Sequence, residues 1–175
     1  MGTITLTAPG ANRAAVLASV SAQDVDLSFR VATNKLAAGS NQYLYGIARR
    51  VSATNAYRVK LRIATNGQVF VHASSVINNV ETAIGGEVLV PGLTHTPGSF
   101  IRLRAQLSGT NPTTIRVRAW ADGSTEPSTW PYTQTNSVAS LQAAGGAGLQ
   151  AYLSSATTNA PVIVTFDDFL VTSIP

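Results

Sequence analysis

Eight carboxylates, two histidines and no cysteine are the chain's stock for acid–base, metal or thiol chemistry. Glycoside hydrolysis needs two carboxylates about 5–10 Å apart. The close-spaced acids are Asp24/Asp26, Glu81/Glu87, Asp122/Glu126 and Asp167/Asp168. Asp24 and Asp26 share one face of a strand pattern, with no third acid beside them; Asp167 and Asp168, as strand neighbours, point to opposite faces. No G-x-S-x-G elbow and no H-E-x-x-H pair occurs. His72 and His95 stand alone and read as surface or half-buried side chains. Without cysteine there is no disulfide, thiolate zinc site or thiol nucleophile. The stretch Ala143–Gly148 (AAGGAG) lacks the Lys-Ser/Thr of a phosphate loop and reads as a turn entering a strand at Leu149. The expectation is a non-enzyme with no catalytic residues, metal ligands or cofactor. A structural calcium would draw on Asp24, Asp26, Asp167 and Asp168, although aspartates at strand ends more often cap their own backbone.

Spaced cations are the stronger signal. If Val59, Leu61, Ile101, Leu103, Ile115 and Val117 face a core, then Arg58, Lys60, Arg62, Arg102, Arg104, Arg116 and Arg118 face outward, with Trp120 in line. These seven of the chain's twelve basic residues lie on three strand patterns that contain no acid. On one sheet they would make a cationic face, and like charges set opposite one another cost stability unless an anion compensates. Such a face suits a uronate, a sulfated glycan or a teichoic acid. Nucleic acid suits it less, for want of greater charge and interleaved aromatics. The plainer reading is a solvent face that discourages edge pairing. Trp130, between Pro127 and Pro131 and two residues before Tyr132, either stacks on a sugar ring or holds its loop to the sandwich. The candidate ligand-binding set is Arg58, Lys60, Arg62, Arg102, Arg104, Arg116, Arg118, Trp120 and Trp130.

These side chains are positioned by short alternating segments. Asp24–Val31 (DVDLSFRV) sets Val25, Leu27, Phe29 and Val31 against Asp24, Asp26, Ser28 and Arg30. Tyr57–Ile63 and Gln68–Ala73, joined through Asn66-Gly67, predict a hairpin with a type I′ turn. Phe100–Leu107 and Ile115–Trp120 repeat the pattern across a polar turn at Gly109–Pro112, and Val162–Val171 predicts a long final strand. Weaker candidates are Ile4–Thr7, Tyr43–Val51, Val80–Leu89 and Leu149–Ser154. Alanine-rich Asn12–Val20 has some helical propensity but is assigned to strand. About ten to twelve short strands separated by turn signals predict an all-β fold, one two-sheet antiparallel β-sandwich over residues 1–175. The longest irregular segment is Ala121–Ser137, of a length that is usually functional or pinned by its own side chains.

Composition bounds the remaining classes. At 45% hydrophobic and 11% charged residues, the chain is not of disordered composition. No apolar run approaches the roughly 20 residues of a membrane span, and no signal-peptide pattern opens the chain. The net charge is +4, yet the charge density is low, so an anionic partner is suited and not required. No basic residue follows Arg118, whereas Asp122, Glu126, Asp167 and Asp168 do.

Three strings carry a family resemblance: Arg116–Trp130 (RVRAWADGSTEPSTW), Ala144–Leu153 (AGGAGLQAYL) and Phe166–Phe169 (FDDF), with Tyr57–Val71 as a fourth. Together they resemble the concanavalin A-like (laminin-G-like) jelly-roll modules of secreted bacterial proteins, particularly actinobacterial ones, and of some phage tail proteins. The likeness runs from about Asp24 onward. It implies two antiparallel sheets in a jelly roll, the concave one open to ligands, and a module that accompanies other domains in a longer protein. The E-P-x-x-W element then reads as a structural anchor. The carboxylate signature of the superfamily's enzymes and the Asp/Asn loop of its calcium-dependent lectins are not matched. The implied function is non-catalytic carbohydrate binding, outside the cell or on a virion surface, with no nucleic acid and no membrane insertion, and an oligomer compatible. The alternative is a structural or adhesion module contacting protein.

Overall fold

The computed structural model describes residues 1–174, with Ala18 by its backbone alone. Thirteen strands follow one another: β1 (Gly2–Leu6), β2 (Asn12–Ala22), β3 (Val25–Thr33), β4 (Gln42–Arg50), β5 (Ala56–Ile63), β6 (Gln68–Ile77), β7 (Val80–Ala83), β8 (Val88–Thr94), β9 (Ile101–Ser108), β10 (Thr113–Ala121), β11 (Tyr132–Asn136), β12 (Gly145–Leu153) and β13 (Val162–Ser173). A single 3-10 turn, Ala139–Leu141, precedes β12. The strands form two antiparallel sheets. Sheet I has the order β1-β13-β3-β9-β10-β11; sheet II has β2-β12-β4-β5-β6-β7, with β8 sharing the edge of β6 alongside β7.

Alternation accounts for the core. Leu27, Phe29, Leu103, Leu107, Ile115 and Val117 of sheet I meet Leu44, Val59, Leu61 and Val71 of sheet II, all buried. Each such side chain contributes roughly 1.5–3 kcal/mol relative to exposure. The alanines of Asn12–Val20 follow tertiary pairing, as β2 lies antiparallel along β12. Glycine permits that approach: a Cβ on Gly148 would lie 2.4 Å from the Ala15 carbonyl oxygen. The glycine-rich stretch is therefore strand from Gly145 onward, where a turn was expected. The β5–β6 connection also differs from expectation. Only Gly67 there has positive φ (+80°), and its N–H donates to the Ala64 carbonyl at 2.9 Å. The turn spans four residues with glycine last, in place of a two-residue type I′ turn.

Two bulges change the direction of side chains. In β4 the register against β12 shifts at Arg49, whose φ is +49°. Parity would send Arg49 outward; the extra residue turns it into the sandwich, where it is fully buried. Its guanidinium donates to the Gln23 carbonyl, to Thr113 Oγ1 at 2.6 Å and to the Gly109 carbonyl at 3.1 Å. It thus ties β4 of sheet II to the β2–β3 connection and to the β9–β10 turn of sheet I. In β13 the register shifts between Asp167 and Leu170, with Asp168 at φ +53°. Asp167 and Asp168 consequently reach the same guanidinium, Arg30, at 2.6 and 3.4 Å. The expectation that they diverge fails because strict alternation stops at the inserted residue.

Candidate functional site: two faces of the sandwich

The seven outward cations do not share a sheet. Arg58, Lys60 and Arg62 stand on β5 in sheet II, whereas Arg102 and Arg104 on β9 and Arg116 and Arg118 on β10 belong to sheet I. Alternation fixes which side of its own strand a residue takes; it does not say which sheet the strand joins. The core-facing positions are as expected, with Val59, Leu61, Ile101, Leu103, Ile115 and Val117 buried. What lay open was strand partnership.

Neither cationic group is uncompensated. On sheet II, Glu81 accepts from Lys60 at 2.9 Å, from Arg58 at 3.1 Å and from Ser74 at 2.8 Å, and Glu87 takes both Nε and Nη2 of Arg62. Burial raises the Glu81 carboxyl, but the Lys60 and Ser74 hydrogen bonds and the Arg58 charge outweigh it, so the pKa falls below the usual range. On sheet I, Arg102 pairs with Asp122 and Asp168, Arg104 with Asp26 and Glu126, and Arg118 with Glu126. Arg30 is held by Asp122, Asp167 and Asp168. Arg116 is exposed and makes no ion pair among the described residues.

Sheet II carries a tyrosine platform beside its cations. Tyr152, Tyr43 and Arg62 lie in one row across β12, β4 and β5; Gln150, Tyr45 and Lys60 lie in the next. The Tyr43 ring centroid is 5.7 Å from that of Tyr152 and 6.4 Å from that of Tyr45. Lys60 Nζ sits 5.9 Å from the Tyr43 ring and 5.8 Å from that of Tyr45, and Arg58 Cζ lies 5.8 Å from the Tyr45 ring. Tyr45 is therefore buried, while Tyr43 and Tyr152 stay half-exposed. Burial pushes the Tyr45 phenol well above its ordinary pKa, with Glu81 adding to it. Asn41 donates to the Tyr43 hydroxyl at 3.3 Å and accepts from Arg62 at 3.3 Å. Gln150 donates to Asn12 at 2.8 Å, and its buried Oε1 has no protein partner.

These tyrosines were absent from the sequence-derived candidate set. The signal available was Tyr43-Leu44-Tyr45, two aromatics on one parity, but Tyr152 joins them only through the β4–β12 pairing. Trp130 packs on Arg118, whose Cζ lies 4.0 Å from its ring, and Arg118 also donates to the Pro127 carbonyl at 2.6 Å. That contact fastens the loop, which β11 shortens to residues 122–131. Tyr132 is buried and its hydroxyl donates to the Ile84 carbonyl, so its ring is unavailable for stacking. Trp120 is half-buried opposite Arg102.

The remaining candidates for chemistry are engaged structurally. His72 and His95 are buried, more so than their isolated sequence positions suggested; His72 reaches the Gly85 carbonyl and His95 Nε2 reaches Thr33 Oγ1 at 3.0 Å. Asp24 accepts the Gly109 N–H at 2.8 Å, and Asp26 accepts from Arg104 and Gln106. No group of three or more His, Cys, Asp or Glu residues is placed to hold a metal ion among the described residues. Asp26 and Glu126, far apart in sequence, meet on Arg104. At Asp26, burial raises the carboxyl, but Arg104 and Gln106 outweigh it and leave the pKa low. A glycosidase acid needs the opposite shift.

No protein-family model matches the chain and no curated protein is similar to it in sequence. Its backbone is similar to several solved structures. The carbohydrate-binding module CBM66 from Bacillus subtilis superposes with a TM-score of 0.60 at 13% identity, over 98% of this chain and 96% of that one. A β-glucanase of Bacillus licheniformis gives 0.57 at 10% identity, over 99% and 78%. The CBM2 module of an evolved Dit protein from Lactobacillus casei BL23 phage J-1 gives 0.53 at 10% identity, over 91% and 67%. The fold is the concanavalin A-like jelly roll. Identities this low establish the architecture, and an architecture hosts many functions.

Proposed function

We propose that the protein is a non-catalytic carbohydrate-binding module that works outside a cell or on a virion surface, and that its ligand lies across the tyrosine platform of sheet II. The observation that carries this reading is the half-exposed Tyr43–Tyr152 pair, flanked by hydrogen-bonding groups already held in place by Asn41, Arg62 and Gln150. Aromatic faces match the C–H faces of sugar rings, and fixed polar groups at their margin supply orientation. Two of the similar structures are themselves named as CBM modules. The pairing of Arg58, Lys60 and Arg62 with Glu81 and Glu87 favours a neutral glycan over the anionic polymer that the cation spacing suggested.

The test is retention on immobilised neutral and anionic polysaccharides at low and high salt, followed by titration of the best ligand. Retention on a neutral glycan that persists in salt is expected, because stacking and neutral hydrogen bonds are little screened. Tyr43→Ala and Tyr152→Ala should each weaken binding by about tenfold, the equivalent of ~1.4 kcal/mol. Unchanged affinity in both variants would remove the platform from the site. No retention on any glycan would move the protein to a structural or adhesion role.

A further inference from the structure

The opposite face of the sandwich holds a cavity of about 280 Å³, floored by β3 and β9 and walled by Trp120, Glu126 and Leu170. That is near the lower end of the roughly 300–1,000 Å³ of small-molecule sites, the scale of one sugar residue. Its construction is specific. The β13 bulge at Asp168 reverses parity, so Phe169 packs towards the core while Leu170 stands 57% exposed at the cavity rim. Asp168 at the bulge has φ +53° and holds Arg102 of the cavity floor, while Leu170, turned outward by the same bulge, lines the cavity. Bulges recur beside functional sites because they re-aim side chains.

The polar groups of the cavity are preorganised. Arg104 is gripped by Asp26 through Nε and Nη2 and by Glu126 through Nη1, at 2.9, 2.7 and 3.0 Å. Glu126 is fixed in turn by Arg118, itself under Trp130, and Arg102 is fixed by Asp122 and by Asp168 of the bulge. Among the lining residues two carboxylates, Asp26 and Glu126, meet two guanidiniums, Arg102 and Arg104, so the cavity has no surplus positive charge for an anion. It offers acceptors at Asp26 and Glu126, a donor fork at Arg104, a hydroxyl at Thr172, and an apolar wall of Trp120 and Leu170. That combination is chemistry for a neutral polyhydroxylated ring with one C–H face.

We propose that this cavity is a second binding site, for a neutral monosaccharide unit, and that the module is bivalent through opposite faces. The inference rests on the carbohydrate-binding reading but on none of the residues that carry it. Two sites facing away from each other bridge separate polysaccharide chains, whereas one site only decorates them.

The experiment uses the full chain with the soluble neutral polysaccharide that retains it best, and with short oligosaccharides of the same composition. The wild-type protein should bind two oligosaccharides per chain, shift its tryptophan fluorescence on binding, and turn the polysaccharide solution turbid. Leu170→Asp, a substitution at an exposed position, should bind one oligosaccharide and lose both the turbidity and the fluorescence shift. Trp120→Phe should weaken the second site by about tenfold while keeping the fold. Conversely, Tyr43→Ala/Tyr152→Ala should retain the fluorescence shift. A wild-type stoichiometry of one, abolished by the tyrosine variant, overturns the second site and leaves the platform standing. Turbidity unaltered in Leu170→Asp and Trp120→Phe overturns it as well. Failure of the wild type to bind any neutral glycan overturns both sites.

Discussion

Removing the internal acids of sheet II should create the polyanion binder that the cation spacing suggests. Glu81 engages Lys60, Arg58 and Ser74, and Glu87 engages Arg62. In the double variant Glu81→Gln/Glu87→Gln, the three cations keep their places over Tyr43, Tyr45 and Phe70 but lose their counter-charges. A uronate docking about 6 Å from each released charge gains roughly 0.7 kcal/mol per charge in solvent dielectric. Two released charges therefore give about 1.4 kcal/mol, a tenfold gain in affinity at low salt. The gain should vanish near 1 M salt, where the Debye length is about 3 Å. Affinity electrophoresis through gels containing alginate or heparin reads it directly, with circular dichroism melting as a control. The three cations left without counter-charges should cost the fold about 1–2 kcal/mol, because the pairs are only partly buried. Wild-type protein that already binds these polyanions in a salt-dependent way, with no gain in the variant, would refute the reasoning. It would mean that the ion pairs within the sheet do not neutralise the face.

Further outcomes follow from buried groups. Arg49→Met should destabilise the protein by about 3 kcal/mol, since it strips the donor from two carbonyls and Thr113; at about 2–4 °C per kcal/mol, melting should fall by roughly 6–12 °C. A change under about 0.5 kcal/mol in urea titration would show that the bulge and its hydrogen bonds are incidental. Stability should also fall in two acid windows. Burial holds the His72 and His95 pKa values below 6.5, so the stability they confer is complete above that pH and lost as pH falls below it. Arg30 and the N-terminal ammonium hold Asp167 down to about 2, and Asp26, Glu81 and Asp122 are likewise lowered, so a second loss runs from about pH 4 downward. At the alkaline end, burial pushes Tyr132 up to about 12, and stability should decline as pH rises from 10 through that value. Melting temperatures measured from pH 2 to 12 check all three windows; a profile flat between pH 7 and 5 would contradict the histidine account.

The sequence by itself determined the fold class, the strand segments and the inward face of nearly every strand. It could do so because alternation is a local property: Val59, Leu61, Leu103 and Val117 are apolar at period two and must leave water together. Tertiary structure alone decided three things. It assigned β5 to one sheet and β9 and β10 to the other, which splits the seven cations between opposite faces. It brought Asp26, Glu126 and Arg104 together, and Tyr152 beside Tyr43, across long stretches of chain. It also placed bulges at Arg49 and Asp168, each of which reverses the alternation on which face assignment depends. Strand partnership is settled by which apolar faces pack together across the whole domain, and a bulge by its neighbour's register. Both are non-local free energies, and no window of sequence contains them.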